Sequence, residues 1–278
     1  MPRFDFTRVL WLILAALALI AASVGVAKPA IYDGVLSEGM MPGVFTQDIL
    51  AIVSAVALAA LALFSKERQL RHRASVHGLL AFFLYAYGIY AIERVYNWFY
   101  PLYLAIFAMS LFVLIYSVAT VPRAQREVLS VRPSVCVAGA VYGILIAVMF
   151  NVIWLVQLVP LLQARERVEY FYSIYIIDLG LVMPAFVIAA VMALRRHFIG
   201  LMGLPALFVL GVGILSPLAL AEIIKPFRYD MAPNWGEFWL YCILTLGFAV
   251  FAAVFLASYR ISPSAAEDGL REESPPHA

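Results

Sequence analysis

The chain has 278 residues, 65% of them apolar and only 13% charged, with a formal net charge of +2 and a mean hydropathy of +0.95. Soluble globular domains carry about 25% charged residues, so this composition excludes that class and points to an all-α, polytopic membrane helical bundle. Membrane lipids are then expected partners, and nucleic acid is not.

A hydrocarbon core about 30 Å thick takes roughly 20 predominantly apolar residues per helix. On that measure the sequence predicts eight spans, near 8–27, 46–64, 77–97, 99–119, 134–158, 171–194, 199–221 and 236–258. They make residues 1–259 a single transmembrane domain with no soluble domain between spans. Residues 260–278, rich in Pro, Ser, Glu and Asp, read as a disordered cytoplasmic tail.

Basic residues remain on the cytoplasmic side during insertion, and this fixes an expected orientation. With the N-terminus inside, the inner segments hold 13 of the 19 basic residues, from Arg3 and Arg8 through Lys66, Arg68, Arg71, Arg73 and Arg123 to Arg271. The outer loops hold Lys28, Arg94, Arg165, Arg167, Lys225 and Arg228. Both termini are expected in the cytoplasm, and the basic loop at Lys66 to Arg73 is read as contact with anionic lipid. A bacterial cytoplasmic (inner) membrane, crossed many times, is the expected location. The first span, preceded by Arg3 and Arg8 and ending near Ala27, also has features of a signal peptide; its removal would leave seven spans.

In the third span Tyr87, Tyr90 and Arg94 stand at i, i+3 and i+7, and Tyr90, Glu93 and Asn97 repeat the spacing, so one stripe is polar near its outer end. Arg94 is a candidate partner for Asp178 or Glu93, or for an anionic ligand. The aromatic residues Tyr96, Trp98, Tyr100 and Tyr103 also fit an interfacial belt, with Glu93 and Arg94 reaching the headgroups. Tyr100-Pro101 makes spans three and four a tight outer hairpin. Asn151 in the fifth span reads as a hydrogen bonder between helices, a role of around 0.6 to 2 kcal/mol in membranes.

Asp178 is the acid left inside a span. Some seven residues into the sixth, it lies roughly 10 Å below the outer boundary. At that depth a carboxylate must be protonated, paired or in a wet cavity. Pro184, six residues on, lacks an N–H and crowds the carbonyl of Gly180, so a helix break is expected beside the acid. Two readings stay open: a ligand or proton site, or a carboxylate that holds the bundle together through a Tyr or Asn. The seventh span carries Gly203, Gly211, Gly213, Pro205 and Pro217, predicting close packing and a bend at Pro217. Glu222, near Lys225 and Arg228, is expected as a solvated interface charge.

Several chemistries lack their residues. Cys136 and Cys242 form no CxxC pair, and His72, His77, His197 and His277 are expected in inner loops, at helix ends or in the tail. No metal site and no cofactor is therefore expected, and GxxxxGK[ST] and GxSxG are absent.

The stretch Tyr96-Asn97-Trp98-Phe99-Tyr100-Pro101-Leu102-Tyr103, with Ile177-Asp178-Leu179-Gly180-Leu181-Val182-Met183-Pro184, is similar to a group of uncharacterised bacterial multi-spanning membrane proteins. An Asn before an aromatic hairpin and an Asp six residues before a Pro carry the resemblance, which covers spans three to seven. It implies a bacterial source and a helical membrane fold, with no activity attached, and it adds weight to Asn97, Asp178 and Pro184.

Three functional readings follow. The first is binding or transport of a small solute or cation through an outward-facing polar cavity, with Asp178, Glu93, Arg94, Asn97, Asn151, Tyr90 and Glu222 as candidate ligand groups. The second is a non-enzymatic accessory, sensor or assembly subunit with a protein partner. The third is an intramembrane lipid-modifying enzyme using Asp178 or Glu93 as general acid or base.

Overall fold

The computed structural model describes residues 6–64, 70–165 and 172–261. Arg3, Lys66, Arg68, Arg167, Arg271, His277 and the rest of the tail from residue 262 lie outside them. Eight helical segments are long and apolar enough to cross a membrane. They begin with α1 (Phe6–Ala27), α2 (Met41–Phe64), α3 (Leu70–Ile92) and α4 (Tyr100–Ala119). After the short α5 (Arg123–Val128) come α6 (Pro133–Ala164), a composite span, α9 (Phe198–Arg228) and α10 (Trp235–Ala257). The composite span joins α7 (Tyr172–Ile174), a π-helical stretch Tyr175–Val182 and α8 (Met183–Leu194).

Several helices run past the expected spans into polar residues: α6 continues to Ala164 and α9 to Arg228, while α2 and α3 are helical before their expected starts. α2 starts at Met41, five residues early, with Pro42 in its first turn, where a missing N–H costs nothing. α3 is already helical at Leu70, seven residues before the expected start, and there Arg71 has acceptors: its guanidinium donates to the carbonyls of Ala257 and Tyr259 at 3.3 and 3.1 Å, capping α10. His77 consequently sits two turns inside α3 and is buried, rather than at a helix end. At its other end α3 stops at Ile92, and Arg94 adopts a left-handed conformation with φ 57.

α3 and α9 form the interior. α3 packs against α4 and α9, and α9 also meets α2, α8 and α10. Close approach needs small residues: a Cβ on Gly78 would meet Val209 at 2.4 Å, and one on Gly213 would meet Phe82 at 2.6 Å. α1 buries Ala15, Ala18 and Ala22 where it packs on α2, which buries Ala51 and Ala55 in the same core. Tyr142 of α6, Phe186 of α8, Phe208 of α9 and Phe248 and Phe251 of α10 make the aromatic part of the same core. The outer faces of α6 and α10, with Leu145, Leu155, Ile243 and Leu246 exposed, are apolar. In water such faces would associate; hydrocarbon is their natural solvent.

At the end of the bundle where α2 finishes and α3 begins, Leu129–Ser130 (β1) pairs antiparallel with Arg260–Ile261 (β2). The first two residues of the expected disordered tail are therefore ordered, since β1 supplies their backbone partners. Arg126 donates to the carbonyls of Ala119 and Val121, closing the end of α4.

Candidate functional site

The four buried carboxylates among the described residues, Asp48, Glu93, Asp178 and Glu222, all lie in the half of the bundle that holds the α1–α2 and α3–α4 connections. Each has a different set of partners.

Asp48, only 1% exposed, has no role in the sequence reading. The early start of α2 carries it two turns into the helix, and Pro42 was the signal for that start. Its Oδ2 accepts from the Tyr32 hydroxyl at 2.7 Å and its Oδ1 from the Tyr90 hydroxyl at 2.9 Å. Gly25 of α1 makes the space, because a Cβ there would stand 1.9 Å from Asp48 Oδ2. Tyr103 packs on Tyr90 and Tyr87, and its hydroxyl accepts from the Asn97 side chain at 3.3 Å. Burial, reinforced by Tyr90 and Asp48, pushes the Tyr32 phenol well above the usual tyrosine range, so it remains a donor. Tyr90 belongs to this cluster and not to Asp178.

Asp178, 5% exposed, lies within the π-helical stretch. The widened turns precede Pro184, and the Met183 N–H reaches back five residues to the Asp178 carbonyl. Such π segments recur at functional positions because they re-aim a side chain. Trp154 of α6 donates its indole N–H to Oδ2 at 2.9 Å. Oδ1 is buried without a hydrogen-bond partner, although the Tyr85 phenol of α3 lies close enough to interact with the carboxyl.

Arg94 does not pair with Asp178 or Glu93 in the described structure; it is exposed. Its left-handed backbone ends α3, so Arg94 and Asn97 leave the stripe that the i, i+3, i+7 spacing predicted. Asn97 instead accepts from the Phe99 N–H at 2.9 Å and shapes the start of α4. Glu93 is buried, and its Oε1 accepts from both the N–H (2.9 Å) and the hydroxyl (2.6 Å) of Ser173, an acid at the start of α7. Its Oε2 has no hydrogen-bond partner.

Two further expectations are corrected. Asn151 does not bridge helices, since its side-chain N–H donates to the Ala147 carbonyl of its own α6 at 2.7 Å. Glu222 is buried rather than solvated: Lys225 bonds one oxygen and the Asn234 N–H the other, at 2.7 Å. It fastens the α9–α10 connection. Pro217 lies inside α9, and its carbonyl accepts from the Thr46 hydroxyl at 2.8 Å, a tie between α9 and α2 close to Asp48. That hydroxyl has one proton and also faces the Pro42 and Gly43 carbonyls, so it can satisfy only one at a time.

Among the described residues two cavities stand out. One of about 550 Å³ lies between the end of α1 and the α3–α4 loop, lined by Lys28, Ile31, Asn97 and Trp98. The other, about 310 Å³, lies among α3, α4, α8 and α9 and includes His77. Asp178 lines neither. Among the described residues no three His, Cys, Asp or Glu side chains converge in a way that would hold a metal.

The fold is thus a helical bundle, with eight helices long and apolar enough to cross a membrane and buried acids on either side of α3. No family model, curated protein or solved structure matches the chain.

Proposed function

We propose that this is a multi-pass protein of the bacterial cytoplasmic membrane that binds and passes a proton or small cation, with Asp178 as the exchangeable site. One observation carries the reading: a 5% exposed carboxylate on a π-helical turn with one oxygen lacking a hydrogen bond. A carboxyl in that state holds a proton, or gives it up and offers Oδ1 to an incoming cation. Access is from the side of the α1–α2 and α3–α4 connections, which the distribution of basic residues makes the outer face. Asp48 is the weaker candidate for exchange because both of its oxygens are occupied by phenols.

The test is flux in purified, reconstituted vesicles loaded with a pH-sensitive dye, with sodium and potassium as probes. The unmodified protein collapses an imposed gradient, whereas Asp178→Asn does not, at unchanged thermal stability in detergent. Equal flux with and without the substitution would sink the proposal.

A second reading, an assembly or sensor subunit of a membrane complex, is favoured by the absence of Asp178 from both cavities. Under it Asp178→Asn lowers stability alone, and gentle affinity purification recovers a stoichiometric partner.

A further inference from the structure

The cavity of about 310 Å³ among α3, α4, α8 and α9 has walls that are apolar apart from one group. That group is His77, 3% exposed, whose Nε2 is hydrogen-bonded to the Ser117 hydroxyl at 3.0 Å. No described residue forms a hydrogen bond with Nδ1. Ile188 and Ile199 line the cavity and are also exposed on the outside of the bundle, so the opening faces the hydrocarbon of the membrane. Gly203 keeps it wide, since a Cβ there would have Ala189 alone within 4 Å, at 3.7 Å.

A space worth roughly ten waters of liquid volume, with apolar walls, does not hold water well and is unfavourable when empty. The solvent at its mouth is lipid chain. A charged head group would lack a counter-charge among the lining residues, whereas a neutral oxygen can exchange a hydrogen bond with the imidazole. We propose that this cavity binds a neutral, lipid-soluble molecule, an aliphatic chain ending in a hydroxyl or carbonyl oxygen, with that oxygen on His77 and the chain along Ala81, Leu114, Ala185 and Gly203. The site is independent of Asp178 and lies toward the opposite end of the bundle.

The probe is a long-chain fatty alcohol carrying a photoreactive diazirine, added to the full protein in phosphatidylcholine vesicles and located by peptide mass spectrometry. Labelling is expected on α3, α4 and α8 peptides containing Ala81, Leu114 or Ala185. Unlabelled alcohol competes, and an alkane of equal length competes about threefold to tenfold less well, the range that one hydrogen bond supplies. Gly203→Phe, which fills the space, removes the labelling, and His77→Phe weakens binding to the level of the alkane. Equal labelling of every lipid-facing helix, unaffected by Gly203→Phe, overturns the proposal. So does equal competition by alkane and alcohol, because His77 would then recognise nothing. If His77→Phe fails to fold, Gly203→Phe and the alkane comparison decide the matter on their own.

Discussion

Tyr90 donates its hydroxyl to Asp48 Oδ1 across the α2–α3 interface, and with Tyr32 on Oδ2 it leaves the most buried carboxylate of the bundle held wholly by phenols. Replacing Asp48 by Ala strands two buried hydroxyls and opens a void. The expected cost is about 2–6 kcal/mol, from about 1–3 kcal/mol for each unsatisfied group. Thermal denaturation in detergent measures it, and Asp48→Asn, which keeps volume and an acceptor, should lose less than half as much.

Gly25→Ala puts a methyl 1.9 Å from Asp48 Oδ2 and 2.6 Å from the Tyr32 hydroxyl. The overpacking should cost about 1–3 kcal/mol. In an Asp48→Ala background the main obstacle is gone, so the double variant should be markedly more stable than the sum of the singles implies. Strict additivity would show that the clash is relieved elsewhere.

Glu93 receives two hydrogen bonds from Ser173, and a bond of this kind contributes about 0.5–1.5 kcal/mol. Glu93→Ala should speed amide exchange at Ser173 at least about tenfold while leaving α9 amides unchanged. Equal exchange in both proteins would mean that the start of α7 is held by other contacts.

Burial holds the phenols of Tyr32 and Tyr259 protonated far above the ordinary tyrosine value. The folded state therefore keeps protons that the unfolded chain releases, so this contribution is complete below about pH 10 and declines as pH rises further. The slope is about 1.4 kcal/mol per pH unit for each such tyrosine. Melting curves between neutral pH and pH 11 should be flat at first and then fall, with a shallower fall in Tyr32→Phe. An identical slope in the variant would remove Tyr32 from the account.

The spans were legible because length and apolarity alone define them. Their ends were not, since a helix continues wherever its polar side chains find partners inside the protein. Arg71, on a helical turn outside the expected span, reaches the end of α10; Asp48 is swallowed because Tyr32 and Tyr90 are waiting for it. Sequence spacing placed Arg94 beside Tyr90 on one stripe, but a single left-handed residue cancels that register, and no periodicity argument detects it. Asp178 was conspicuous as an acid inside an apolar run. Its partner Trp154 was not, as an indole in a span is indistinguishable from packing until a neighbour is known.

Tyr85 and Tyr90 lie on the same helix, about 7.5 Å apart along its axis and about 140° apart around it, one beside Asp178 and the other on Asp48. That helix is the most buried of the eight and is keyed into α9 through Gly78–Val209 and Phe82–Gly213. The two carboxyl groups are therefore furnished with phenols by one and the same rod, and the placement of that rod in the bundle sets the surroundings of both.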